Sequence, residues 1–503
     1  MAIYNTKNAT DLYWACNEGF KVGRDPMGIQ NCSITLYGQM LPGMTNLTGH
    51  IRYYSLYCWL LTEYNNDYKS TQQYNVNQRD FIRRAELIMA FIMSGHNQNS
   101  VVGSLFLEQK RCHKDIKGCY MIKEGADYEQ ADKYWTYGSG AFGQYYLGAL
   151  VYLQLVRTED NWFYTRPKGK ELAYTFCESV SDDVRKRYID VICKGRLSEE
   201  DIVILQPLGI DQLTVGSSEW YFLNNLLILP DKNGSSLRRE SIKLFLEALT
   251  ENCTINDFPE LQYKQYAEGH PVSKFGWHYY YLCETIHYAI ESIFWLILET
   301  AGANNYLALN KFLDMVTTII LDENEKDISN YSFDNVTSLL SMHEIPIMRN
   351  ELVDTVKKGL PEPAAMKAFL LLIKCYDSIM PQKETFDRFE KHVHLKEQFG
   401  YITQFMQRYV GRNQGFTAKK AIKNIVKTIM NDHTTVACRK MGNGMLDLRK
   451  FLIEDGCIFL VEIRKPQFTN PRTHTLFNFL TDLHYLENGR LTNIAKEFID
   501  NYE

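Results

Sequence analysis

Five short patterns in this chain put chemically capable residues at suggestive spacings. Asp455 precedes an apolar run of strand character, Cys457–Ile463, that ends in Glu462-Ile463-Arg464-Lys465. Two carboxylates ahead of a lysine can hold a divalent cation and activate a water molecule. Here Arg464 stands where the lysine is needed, and an arginine is essentially never deprotonated. Lys465, one residue on, points to the opposite face of a strand. Metal-dependent nuclease chemistry centred on Asp455 and Glu462 is therefore the alternative reading. Glu284-Thr285-Ile286-His287 with Glu291 one turn on is a Glu-x-x-His motif on a helix. A di-iron bundle needs two such motifs on facing helices, and there is no second one. His278 and His287 are read as hydrogen-bonded core residues.

The other three patterns are weaker. Gly138-Ser139-Gly140-Ala141-Phe142-Gly143 fits Gly-x-Gly-x-x-Gly, but the dinucleotide fingerprint also needs a preceding strand and a βαβ setting. Its glycines are read as permitting a tight turn and close packing. Cys112-His113 with Cys119 lacks the second half of a zinc ligand set. In His392-Val393-His394 the two rings leave a helix on different faces. No Gly-x-Ser-x-Gly elbow, Walker loop or His-Glu-x-x-His is present. No metal and no cofactor is expected, and the chain is read as a non-enzyme.

Charge is the strongest functional signal. The chain carries −5 overall, yet Tyr401–Lys450 holds ten Lys/Arg against two Asp, a local +8 that leaves −13 for the rest. Lys419, Lys420, Lys423 and Lys427 share much of one face of the helix that Thr417 is expected to cap. With Arg439 and Lys440 they are the candidate phosphate contacts for DNA or RNA. The competing reading is a solvated lysine face, or one that docks on the acidic remainder.

The elements that must position these residues are mostly helical. Apolar periodicity predicts helices beginning after Thr45 or Thr48, after Asn77, over 141–156, after Ser181, after Ser198 with Asp201 as a capping box, and from Ser235 or Ser236 to about Leu249. Phe275–Thr300 is apolar on nearly every side, as expected of the central helix of the main body. Further helices are expected at 306–320, 347–359, 363–378 and 384–411, whereas residues 1–40 look irregular. Beyond 412, a helix from Thr417 to Met430, a turn at Met441-Gly442-Asn443-Gly444, a helix over Leu446–Glu454, a strand over Cys457–Ile463, a helix over Thr473–Leu483, a hairpin turn at Leu486–Leu491 and a helix over Thr492–Tyr502 are read as winged-helix-like. The fold class is thus mainly α, a multi-helix body with a small C-terminal α/β unit. The domains are drawn at 1–160 (N-terminal helical), 161–411 (central helical) and 412–503 (basic, winged-helix-like).

Composition is that of an ordinary globular protein, 45% hydrophobic and 23% charged. No secretory signal and no stretch of ~20 apolar residues is seen, so a cytoplasmic protein without membrane contact is expected. The 12 cysteines include no Cys-x-x-Cys pair. The segment Leu41-Pro42-Gly43-Met44-Thr45 through Arg52-Tyr53-Tyr54, followed by Trp59-Leu60, resembles the N-terminal pattern of bacterial proteins from anti-phage defence and mobile-element loci. Val101-Val102-Gly103 and Tyr134-Trp135 are similar too, while Gly49 departs from the pattern. The resemblance implies a bacterial anti-phage role and carries no catalytic residues. Arg52 is read as structural, stitching loops to the first helix, with carboxylate or phosphate binding as the alternative. The combined expectation is a subunit of a bacterial defence complex that binds protein partners and, through its basic C-terminal part, nucleic acid. A protein-only scaffold or sensor using a tyrosine-rich surface (33 Tyr) is the remaining alternative.

Overall fold

A computed structural model of the chain describes residues 25–45, 49–71, 76–95, 101–229, 236–267, 271–322, 332–333, 343–393, 395, 402–442 and 448–501. The fold is mainly helical, with small strands and helices toward the C-terminus. Thr48, Ser235, His394 and the turn residues Asn443-Gly444 lie outside the described residues. The chain forms two compact units, each built from separated segments: 1–36 with 262–469, and 37–261 with 470–503. The boundaries drawn at 160 and 411 do not coincide with these units, and the stretch 412–503 is divided between them after Thr469. Local punctuation marks where elements end; it does not report which distant segments share a core.

The unit containing residues 262–469 is organised on the helix Val272–Ala303, buried along almost its whole length. Such a helix must be covered on every side. Its main partner is Pro361–Ile379, and Ala418–Gly442 and the Cys457–Leu460 strand also pack on it. That strand is the middle of a three-stranded antiparallel sheet, flanked by Leu307–Ala308 and Phe451–Glu454. The helix expected over Leu446–Glu454 is instead this outer strand where described. The reason is the turn: Asp455 (φ 51°) and Gly456 (φ 73°) are both left-handed, the requirement of a two-residue hairpin loop, and Glu454 pairs with Cys457.

The single helix expected over 384–411 is two helices among the described residues, Lys383–His392 and Ile402–Tyr409. The second has its own N-terminal partner, because the Ile402 N–H donates to the Glu390 carboxylate at 3.1 Å. Residues 1–40, expected to be irregular, include the helix Gln30–Met40, with the Ile29 N–H donating to the Asp25 carboxylate just before it.

The unit containing residues 37–261 has its core between Tyr53–Thr71, Gln78–Ile92, Pro167–Ser179 and Ser218–Ile228. Asn77 caps Gln78–Ile92 as expected, and Ser198 with Asp201 forms the expected capping box. The helix expected over 141–156 is shorter. A π-helical turn at Phe142–Tyr146 leads into Leu147–Tyr152, and the chain then forms a hairpin, Val156–Glu159 with Trp162–Thr165, turned by Asp160 and Asn161 at positive φ. The hairpin expected at Leu486–Leu491 is present, turned by Asn488-Gly489.

Buried arginines hold this unit together. Arg52 is 1% exposed and binds Glu219 (0%) through Nε and Nη2 while donating to the Gly209 carbonyl at 2.5 Å. Arg84 pairs with Asp127 through two hydrogen bonds of 2.6 and 2.7 Å. Arg83 donates to the carbonyls of Ala126, Trp135 and Tyr137. Replacing Arg52 by Ala strands a buried carboxylate, so unfolding in urea is expected to show a loss of about 3–5 kcal/mol. A loss under about 1 kcal/mol, the value of an exposed pair, contradicts this structural role.

Candidate nucleic-acid interface

The helix Ala418–Gly442 is amphipathic by construction. Ala418, Ala421, Ile422, Ile425, Val426, Ile429 and Met430 are buried on one side. Thr417 Oγ1 accepts the Lys420 N–H at 3.4 Å at its start, and the helix runs on past the expected end at Met430. At ~100° and ~1.5 Å per residue, Lys419, Lys423, Lys427 and Lys420 fall within an arc of about 100° and a length of about 12 Å. Lys419, Lys420 and Lys427 are exposed. Lys420 Nζ lies 3.7 Å from the centre of the Phe416 ring, a cation–π contact that leaves it accessible. Lys423 is partly committed, pairing with Asp314 of the neighbouring helix Leu309–Asp322. Both partners are more than a third exposed, so the bond is a weak tether. Arg412, just before this helix, is exposed as well.

Arg439 and Lys440 do not join this group. They lie about 18 Å further along and leave the helix at other azimuths. Arg439 is exposed, but Lys440 turns inward, donating to the Asp25 carbonyl at 2.8 Å, and burial lowers its ammonium below the usual lysine range. Asp432, one of the two acids of the basic stretch, is consumed by Arg408 and the Tyr409 hydroxyl. The outward charge of the lysine stripe is therefore not neutralised by it.

The carboxylates of the nuclease pattern are held apart. Asp455 is exposed at the tip of the hairpin, while Glu462 lies beyond its open end, bonded to the Lys450 ammonium. Four residues of paired strand, Cys457–Leu460, separate the two ends, more than about 10 Å. Two ligands of one cation stand within about 5 Å of each other. Lys465 Nζ lies 5.3 Å from the Trp295 ring. The neighbouring His433 bridges two backbone groups: the Lys450 N–H donates to its Nε2 at 2.8 Å, so Nδ1 donates to the Pro26 carbonyl at 2.9 Å.

The Glu-x-x-His motif forms a buried charged line along the central helix. His287 Nε2 is 3.1 Å from Glu291 Oε1, and Nδ1 is 3.7 Å from Glu284 Oε1. Burial alone would lower the imidazole pKa, but the two carboxylates raise it to about 10, so the ring is an imidazolium. The outer carboxylate oxygens accept backbone N–H groups, Glu284 from Thr469 at 2.6 Å and Glu291 from Gln467 at 3.0 Å. Gln30 Nε2 donates to Glu291 Oε1 at 3.5 Å. The motif thus clamps the extended segment after Glu462 to the helix. Among the described residues no three His, Cys, Asp or Glu side chains are arranged to hold a metal ion. His278 stacks on Tyr263, and burial lowers it to about 4.

The glycine-rich loop is occupied by the protein's own carboxylate. The N–H groups of Ala141 and Phe142 donate to Glu86 at 3.0 and 2.7 Å, as do the hydroxyls of Tyr57 (2.8 Å) and Tyr134. Burial raises the Glu86 pKa against these donors. A Cβ at Gly140 (φ 69°) would meet Glu86 Oε2 at 2.4 Å, so the glycine serves the approach of a buried acid. The anion that such a loop attracts is already in place. Sequence reasoning did not single out Glu86, Asp25 or Gln30. The only signal for Glu86 was an acid inside the apolar run Ala85-Glu86-Leu87-Ile88.

Two buried groups set a pH dependence. Burial raises Glu390 from 4.5 to about 7, against donors Tyr279 and Ile402. Its neutral form therefore contributes stability in full below about 4.5, and this is lost as pH rises through 7. His287, raised from 6.5 to about 10, contributes in full below 6.5 and loses its contribution as pH rises through 10. The melting temperature is expected to fall with pH in both windows, with Glu390→Gln removing the first decline and His287→Gln the second. A constant offset between wild type and Glu390→Gln from pH 5 to 8 contradicts the first assignment.

Compared with known proteins, the chain matches no protein-family model, no curated protein and no solved structure.

Proposed function

We propose that this chain is a non-catalytic subunit that binds nucleic acid through the lysine stripe of Ala418–Gly442, within a protein assembly of the bacterial anti-phage type. One observation carries the reading: Lys419, Lys420, Lys423 and Lys427 sit in a single arc on a helix whose other side is buried, with Lys419, Lys420 and Lys427 exposed and Lys423 held only by an exposed pair with Asp314. Arg412 and Arg439 are exposed nearby in sequence, whereas Lys440 is engaged at Asp25. The resemblance of the Leu41–Tyr54 segment supplies the anti-phage context. The separation of Asp455 from Glu462 favours binding over cleavage. With Arg52 closed into an ion pair with Glu219, the role read for it is structural.

A stripe of this kind binds phosphates without reading sequence, by releasing counterions. Full engagement of four lysines gives a slope of log K against log salt near −3.6 on duplex DNA, and near −2.8 on a single strand. Labelled double- and single-stranded DNA and RNA titrated at two salt concentrations, with and without magnesium, test this. Salt-sensitive binding without cleavage is expected. Each Lys→Ala change at 419, 420 or 427 is expected to reduce the slope by about one. The quadruple Lys→Glu variant, checked for folding by circular dichroism, is expected to lose binding altogether. Absence of binding at low salt overturns the proposal and leaves a protein-docking face. Magnesium-dependent cleavage that Asp455→Ala or Glu462→Ala abolishes restores the nuclease reading.

A further inference from the structure

We infer that Cys32 and Cys283 are a redox-active pair that closes to a disulfide when the protein meets a hydroperoxide. Cys32 lies on the helix Gln30–Met40 and Cys283 on the central helix, 251 residues away in sequence. Their sulfurs are 3.5 Å apart, both as free thiols. A disulfide bond is ~2.05 Å, so closure needs an approach of about 1.5 Å shared between two side chains. The pair is asymmetric in access. Cys32 is partly exposed, while Cys283 is buried at 8%. A partly exposed thiol at contact distance from a buried one has the geometry of a sensing and a resolving cysteine.

The surroundings supply a proton path. The Tyr279 hydroxyl is 3.9 Å from Cys32 Sγ and donates to Glu390 Oε1 at 2.5 Å. The other Glu390 oxygen is buried with no hydrogen-bond partner, so this carboxyl group keeps acceptor capacity at the end of the path through Tyr279. In the first step the Cys32 sulfur takes one oxygen of hydrogen peroxide, the O–O bond breaks, and the sulfenic acid and one water form. In the second, the Cys283 sulfur attacks that of Cys32, the S–O bond breaks, and a second water leaves. The two thiols give up two electrons and two protons, and the peroxide is reduced to two waters. The bond ties the helix bearing Gln30 to the helix bearing Glu291, to which Gln30 already donates.

The test treats the full chain with hydrogen peroxide, blocks remaining thiols with N-ethylmaleimide under denaturing conditions, and maps tryptic peptides without reduction. A Cys32–Cys283 linked peptide, lighter than its two parts by about 2 Da and released by dithiothreitol, is expected. In Cys283→Ala, dimedone labelling of Cys32 is expected to rise above wild type, because the sulfenic acid has lost its resolving partner. Both thiols recovered as maleimide adducts, or Cys32 carried to sulfinic acid with Cys283 still alkylated, overturns the inference. A dimedone signal at Cys32 that is unchanged in Cys283→Ala also overturns it.

Discussion

A carboxylate removed from water must be met by donors or a cation within hydrogen-bond distance, and most of the polar architecture of this protein answers that requirement. Glu219 is met by Arg52 and the Ser55 hydroxyl, and Asp127 by Arg84. Glu86 is met by two backbone N–H groups and two tyrosines. Glu291 is met by His287, and Glu284 and Glu291 are each met by the backbone of the segment that crosses them. Each acid joins elements distant in sequence, and removing one partner would leave a charge where burial is costly. These contacts specify which segments meet, while the apolar side chains around them supply most of the driving force.

This division has a functional consequence. Residue types that suggest chemistry when read in a line are, in space, largely committed to the interior. The Gly-x-Gly-x-x-Gly loop holds a glutamate where a phosphate would sit. The Glu-x-x-His motif fixes a strand-like segment to a helix. Lys450 and Glu462 satisfy one another. The lysine stripe on Ala418–Gly442, by contrast, faces water, with Lys419, Lys420 and Lys427 exposed and Lys423 tethered to Asp314.

The Cys32–Cys283 contact belongs to the same interior logic. The central helix is apolar on nearly all sides, so its few reactive groups, Cys283, Glu284, His287 and Glu291, meet only what the covering segments bring. The helix Gln30–Met40 brings a thiol and an amide to that surface. The charges of that line are held by their mutual pairing against the cost of burial, so loosening the segment that covers them would relieve that cost and weaken the pairing.

Local physics determined a good deal from the sequence alone. The central helix, the Asn77 cap, the Ser198–Asp201 capping box and the Asn488-Gly489 hairpin follow from periodicity and from side chains bonding to backbone a few residues away. The lysine face follows from helical spacing. Where two local signals competed, the linear reading chose wrongly. An apolar stretch before Asp455-Gly456 suits a helix or a strand, and the left-handed turn there, with the pairing to Cys457–Leu460 that it permits, decided for strand. The two discontinuous units, the partner of each buried acid, the inward turn of Lys440 and the meeting of Cys32 with Cys283 were decided by tertiary structure alone. These depend on contacts between residues tens to hundreds of positions apart, and no pattern within a single helix or strand encodes which distant residue will stand opposite.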